Sequence, residues 1–252
     1  MAVKIIDLSD TLSNETVEPL QHKIIYRSHE EGARQAANLF DLKVEDFPEG
    51  KAWTLEEIEL CTHSGTHVDA PYHFWPESEG KPAKTVDEIP LEWCYGDGVV
   101  LDFSHRKAGD LIMPVDIKES LAKIGYNLKP FDLVFIRTDV WKKFGEPGYQ
   151  NLHPGMSEEA TLWLVEKGIK MMGIDAWGWD RPFNVMADEY KSGVKGKLWA
   201  AHYAGAKKEY CHIEKMTNLD KLPPFGFKAA CFPVKIKKAS AAWTRAVAIL
   251  EE

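Results

Sequence analysis

No stretch of 18 consecutive apolar residues occurs in the 252-residue chain, so no segment has the length of a membrane-spanning helix. Positive charge is also short: 31 Lys and Arg stand against 39 Asp and Glu, a net charge of -8. Nucleic acids and anionic membranes are met by an excess of Lys and Arg, so neither is expected as a partner. Cysteine is sparse. Cys61, Cys94, Cys211 and Cys231 lie far apart with no C-x-x-C pair, and read as reduced, buried small hydrophobes. The opening segment carries Asp7 and Asp10 where a signal peptide needs an unbroken apolar stretch, so a soluble, cytoplasmic protein is expected. Internal repeats, low-complexity tracts and linker-like segments are absent too. Neither Gly-x-Ser-x-Gly nor His-Glu-x-x-His occurs, which removes the signatures of a serine hydrolase and of a common metalloprotease.

What is present is an ordinary globular composition, 44% hydrophobic and 28% charged, on a chain long enough to bury a substantial core. The length suits one domain over residues 1–252. Strands are expected at Val3 to Leu8, Trp53 to Thr62, Gly98 to Phe103, Asp132 to Thr138, Ile169 to Asp175, Cys211 to Glu214, Lys228 to Ile236 and Trp243 to Leu250. Helical character runs from His22 to Leu42. Pro114 to Ile124 reads as a helix with Pro in its first turn and Gly125 just past its end. Ser157 to Lys167 reads as another, with Ser157 as cap, two glutamates in the first turn and Gly168 after it. Strand-helix-strand alternation in the middle of the chain implies an α/β fold with a mixed sheet in a single domain.

One segment concentrates the chemistry: Cys61-Thr62-His63-Ser64-Gly65-Thr66-His67-Val68-Asp69-Ala70-Pro71-Tyr72-His73-Phe74. Three of the nine histidines fall within these 11 positions from His63 to His73. Imidazole and carboxylate are the usual donors to zinc and similar first-row metals. An isolated histidine is ordinarily a core or surface residue, but His63, His67, Asp69 and His73 cluster with Gly65 and Pro71 fixing the backbone between them. Those two residues argue against a continuous helix, so the segment is expected to coil and turn its side chains inward. By the same standard His22, His29, His105, His153 and His212 read as ordinary histidines. His212 differs only in lying two residues from Glu214, which would place both on one face of a strand.

The string His-Ser-Gly-Thr-His-Val-Asp-Ala-Pro-Tyr-His-Phe resembles the signature of the cyclase-like metal-dependent hydrolases, a group that includes bacterial kynurenine formamidase, isatin hydrolase and a metal-dependent dienelactone hydrolase. The likeness continues in the opening Ile-Ile-Asp-Leu-Ser, in the spacing of His202 from Glu214, in Ile213-Glu214-Lys215-Met216-Thr217-Asn218-Leu219 and in the closing Thr244-Arg245-Ala246-Val247-Ala248. The resemblance implies that His63, His67 and Asp69 hold a metal, that Asp69, His202 and Glu214 hold or share a second, and that His73 carries protons. It implies a swivelling β/β/α fold, zinc or manganese as the metal, one or two per chain, and a homodimer or homotetramer.

The implied activity is opening of an amide C–N or a lactone or ester C–O bond of a small cyclic or aryl-bearing substrate by metal-activated water. An arylformamidase acting on N-formylkynurenine is the alternative within enzymes. A non-catalytic protein that binds metal or ligand is the alternative outside them. Tyr72, Phe74, Trp75, Trp177 and Trp179 are candidate walls for a flat substrate. Arg181 is a candidate for gripping a substrate carboxylate.

Overall fold

The structure, a computed structural model, describes residues 2–16, 19, 22–196 and 198–251. These divide into two compact units. One comprises Leu12–Cys61; the other comprises Met1–Thr11 with Thr62–Glu252.

The strand Val3–Asp7 (β1) belongs to the larger unit. In the smaller unit, Lys23–Arg27 (β2) pairs antiparallel with Leu55–Glu59 (β3), and His29–Phe40 (α1) lies between them in sequence. The expected helix from His22 therefore begins later. Ile24, Ile25 and Tyr26 favour extended backbone, and helix starts only where Ser28 and Glu31 form a reciprocal capping box.

The larger unit is built on His67–Asp69 (β4), Pro71–Phe74 (α2), Tyr95–Asp102 (β5), Pro114–Ile124 (α3), Leu133–Arg137 (β6), Glu158–Glu166 (α4), Met171–Ile174 (β7), Phe183–Lys191 (α5), Ala200–Lys207 (α6), Cys211–Glu214 (β8), Phe227–Ala230 (β9), Ala241–Trp243 (β10) and Val247–Glu251 (β11). Nine strands form one mixed sheet in the order β1-β11-β9-β5-β6-β7-β8-β4-β10. The four central strands, β5 to β8, are parallel, and the outer ones join antiparallel. This is the α/β architecture with a mixed sheet that the alternation implied.

Leu133, Val134, Phe135 and Ile136 of β6 are each 1% exposed or less, as expected of a central parallel strand covered on both faces. Burying each such side chain contributes about 1.5–3 kcal/mol. Val134 and Ile136 face helices α3, α4 and α6, packing with Ile117, Leu121, Leu164 and Ala201. Leu133 and Phe135 face the other way, into a cluster that gathers Val68 of β4, Ala242 of β10 and Ala248 of β11. Residues from both wings of the sheet meet in that cluster, so the sheet curls around it.

Helix α3 ends at Gly125, whose φ of 69° is the left-handed conformation that glycine adopts without strain. Ser157 caps α4 by accepting from Ala160 N. The strand expected over Lys228 to Ile236 is shorter, Phe227–Ala230, and Pro233 lies beyond it in an isolated bridge. No helix among the described residues is long and apolar enough to cross a membrane.

Candidate metal centre

Two short strands build the centre. In β4, His67 and Asp69 are two residues apart and share a face, while Val68 points into the core behind them. In β8, His212 and Glu214 share a face in the same way, with Ile213 behind. The strands pair antiparallel in a register that sets Asp69 opposite His212 and His67 opposite Glu214. Four ligand-type side chains thus form a two-by-two patch on one face of the sheet, and all four are buried.

The remaining members come from adjoining segments. His63 sits in the coil before β4, where Gly65 turns the chain with a φ of 60°. Its Nδ1 lies 2.8 Å from Asp69 Oδ1, and its Nε2 is 3.1 Å from Ser240 Oγ. His73 lies on the single turn α2, which Pro71 opens, and its Nε2 is 3.9 Å from Asp69 Oδ2. His202 occupies the first turn of α6, with Nε2 3.7 Å from Glu214 Oε1 and 4.0 Å from Asp69 Oδ2. Helix α6 approaches α2 closely because residue 205 is glycine: a Cβ there would stand 2.3 Å from the Phe74 ring. The structure thus gathers His63, His67, His73, His202 and Glu214 around Asp69.

Two members were not anticipated. His212, read as an ordinary histidine, has Nε2 3.1 Å from Asp69 Oδ2 and 3.3 Å from Glu214 Oε1. Its only sequence signal was the two-residue spacing from Glu214. Asp180 follows β7, and its carboxylate accepts from the backbone N–H groups of Ala201 and His202 at 2.8 and 2.9 Å. The same carboxylate lies 2.6 Å from His202 Nδ1. That contact places the proton of the ring on Nδ1 and turns the Nε2 lone pair towards the centre. His67 is oriented similarly, with Nδ1 2.8 Å from the carbonyl of Gly65.

Electrostatics favour anionic carboxylates here. Burial alone would raise the Asp69 and Glu214 pKa values, but surrounding imidazoles outweigh it. They hold Asp69 well below the usual carboxylate range and Glu214 at about 2. Burial dominates at His73 and brings its pKa down to about 4, so that ring is neutral at working pH. At His212 burial acts in the same direction, but Asp69 and Glu214 overcome it and raise the value to about 9.

Both carboxylate oxygens of Asp69 and Nε2 of His67 are fully buried and meet no well-aligned hydrogen-bond partner among the described residues; the nitrogens of His63 and His212 stand against Asp69 as ion-pair contacts at 2.8 and 3.1 Å. Unsatisfied buried polar atoms are costly, and here they converge on one another. Asp69, His202, His212 and Glu214 each bring a donor atom within 4.8 Å of the others, and His63, Asp69 and His73 do the same. A divalent cation satisfies such atoms, and a mixed imidazole and carboxylate set suits first-row metals. The residues present therefore fit a metal.

The aromatic residues divide. Phe74 and Trp179 are core residues that box His212, and Glu214 Oε1 accepts from Trp179 N at 2.9 Å. Tyr72 and Trp75 are exposed; Trp177 is half-buried, edge-on to Phe183. Trp199 stacks on His202, with ring centroids 4.5 Å apart, and stands edge-on to His73 at 5.2 Å. Arg181 makes a two-pronged ion pair with Glu189 on α5, so its guanidinium fork is engaged within the chain rather than presented to a substrate carboxylate.

The centre lies on one face of the sheet, across the antiparallel pair of β4 and β8. That fold and that donor set define a class, the metal-dependent hydrolases. The family model Cyclase, described as "Putative cyclase", matches residues 6–181, and the chain belongs to this family. It is 25% identical over 204 residues to kynurenine formamidase of Bacillus thuringiensis (strain Al Hakam), covering 78% of this chain and 84% of that protein. It is 26% identical over 200 residues to isatin hydrolase of Roseibium aggregatum, covering 76% and 73%. The solved structure of isatin hydrolase A from Labrenzia aggregata bound to benzyl benzoate superposes with a TM-score of 0.76 at 26% identity, covering 99% of this chain and 94% of that one.

Proposed function

We propose that this chain hydrolyses the amide C–N bond, or the lactone or ester C–O bond, of a small cyclic or aryl-bearing molecule at a divalent metal centre. The observation that carries the reading is Asp69, a fully buried carboxylate whose two oxygens face imidazole nitrogens at 2.8, 3.2 and 3.1 Å, those of His63, His67 and His212. His63, His67 and Asp69 would hold a metal, and Asp69, His202 and Glu214 would hold or share a second. When bound, the cation supplies Lewis acidity towards a carbonyl and makes water a nucleophile near neutral pH.

The chain's own residues do the rest. Asp69 and Glu214 stay ionised and offset the cationic charge. Asp180 fixes the ring of His202. His73 is neutral and sits at the half-buried edge of the centre, so its Nε2 takes a proton from the attacking water and returns it to the departing nitrogen or oxygen. Trp199, flanking both His73 and His202, offers a flat apolar wall to an aryl group.

The relatives named kynurenine formamidase and isatin hydrolase support an amide bond on an aryl-bearing molecule, and N-formylkynurenine is the first substrate to try. Zinc or manganese, one or two per chain, suits the donor set. By analogy with the family, residues 1–252 work as one catalytic domain in a cytoplasmic homodimer or homotetramer.

Metal analysis of the purified protein, paired with a hydrolysis panel of N-formylkynurenine, isatin, aryl amides and lactones, tests this. One to two equivalents of metal and chelator-sensitive turnover are expected. Protein without metal, or metal-loaded protein inert across the panel, overturns the enzymatic reading; in the second case a metal-binding protein remains.

A further inference from the structure

His212 is a buried polar group of the centre that the proposed chemistry leaves without a task. Its ring is fully buried and lies between Phe74 and Trp179, with centroid distances of 5.0 and 5.3 Å and interplanar angles of 19° and 16°. His202 stands edge-on at 4.7 Å. Among the described residues, Nδ1 has no hydrogen-bond partner in this aromatic box. All polar contact of the ring is therefore made through Nε2, which points at Asp69 Oδ2 and Glu214 Oε1 from 3.1 and 3.3 Å. The box fixes the ring plane, and the β4–β8 register fixes its position directly opposite Asp69. A residue used only for packing at this position would be apolar, as Val68 and Ile213 are on the opposite face of the same strands.

We propose that His212 is a metal ligand, whose Nε2 joins Asp69, His202 and Glu214 to complete a four-donor site on the buried side of the centre. The inference rests on the metal-dependent reading above and goes beyond the ligands named there. All four residues are buried, whereas His63 and His73 on the other side of Asp69 are half-buried. Four protein donors close a site to substrate, and catalytic sites keep a position open. The division follows: the metal held by His212 is the slowly exchanging one, and substrate meets the His63 and His73 side.

The test uses purified, metal-stripped protein reloaded with Co(II), comparing wild type with His212→Ala and His212→Asn. Wild type is expected to give intense visible d–d absorption from the four-donor site and biphasic metal loss to a chelator. Each variant is expected to lose the slow phase, with that cation leaving at least tenfold faster and the absorption band shifted or weakened. Added imidazole, which fits the space left between Phe74 and Trp179, is expected to restore the band in His212→Ala. His212→Asn, close in size, keeps the comparison available if the alanine variant unfolds. Variants with the wild-type spectrum and release kinetics overturn the assignment of His212 while leaving the metal reading intact. Wild-type protein that takes up no Co(II) overturns the metal reading itself.

Discussion

Asp180 and His202 are joined twice: the carboxylate accepts from the backbone N–H of His202 at 2.9 Å and meets its ring Nδ1 at 2.6 Å. One side chain therefore starts helix α6 and sets the tautomer of the imidazole that the helix delivers. The two tasks separate by substitution. Asp180→Asn keeps an acceptor for the backbone but removes the charge that polarises the ring, and metal affinity is expected to fall about 10–100-fold. Asp180→Ala removes the cap as well and is expected to cost a further 0.5–2 kcal/mol or so of stability. Competition with a chelator and thermal unfolding read the two effects independently. Unchanged metal affinity in Asp180→Asn would reduce Asp180 to a helix cap.

His73 belongs to the same cluster but plays a different part. Its Nε2 is 3.9 Å from Asp69, farther than those of His67 and His212, and its ring is half-buried at the edge of the centre. Replacing His73 by Asn is expected to leave bound metal unchanged and to lower kcat by about 10²–10⁴-fold, the range for a lost general acid–base group. Full turnover in that variant would exclude the proton-carrying role. Loss of metal would make His73 a ligand instead.

Metal-stripped protein offers a separate view of the same ring. An unfolded chain protonates His73 near 6.5, whereas burial in the fold withholds that proton until about pH 4. Between those values the unfolded state binds more protons, so stability falls as pH drops from 6.5 towards 4, by up to about 1.4 kcal/mol per pH unit for this one group. His212 acts with the opposite sign. Its folded pKa of about 9 means that the fold holds a proton which the unfolded chain releases, and stability falls as pH rises from 6.5 towards 9. Together these two rings contribute most near pH 6.5, while the buried Asp175 carboxyl, raised to about 7, works against the acid limb by holding a proton that the unfolded chain releases above about 3.8. His73→Asn should flatten the acid limb, and His212→Asn the alkaline one, in chemical unfolding curves measured across pH. Parallel curves for wild type and His73→Asn would contradict the withheld proton.

How much of this was legible beforehand depended on whether the signal was local. Helix α3 was readable because Pro114 and Gly125 mark its ends within the helix's own sequence. The His63 to His73 segment announced itself by density. Helix α6 gave no such notice: its cap position is Trp199, in left-handed backbone with a φ of 56°, and the capping carboxylate comes from Asp180, well upstream. His212 needed the register between β4 and β8, which no short stretch of sequence contains, before its place opposite Asp69 could be seen. Arg181 pointed the wrong way for the same reason, since Glu189 becomes its partner only once α5 has formed.

The cysteines divide in a way that composition alone did not reveal. Cys94, Cys211 and Cys231 are fully buried, as small apolar residues should be, and burial raises all three thiols, Cys94 to about 12. Cys61 is exposed, contrary to the expectation that all four pack inside. Thiolate is the reactive form, and access limits it further, so the buried three should be inert in the native state. Titration of native protein with a chromogenic disulfide at pH 8 is expected to release one equivalent quickly, and four in denaturant. Cys61→Ser should abolish the fast equivalent without altering the remaining three. A second fast equivalent in native protein would mean that the sheet opens around Cys94 or Cys231, whose thiol lies 3.5 Å from the Cys94 carbonyl, more readily than their burial implies.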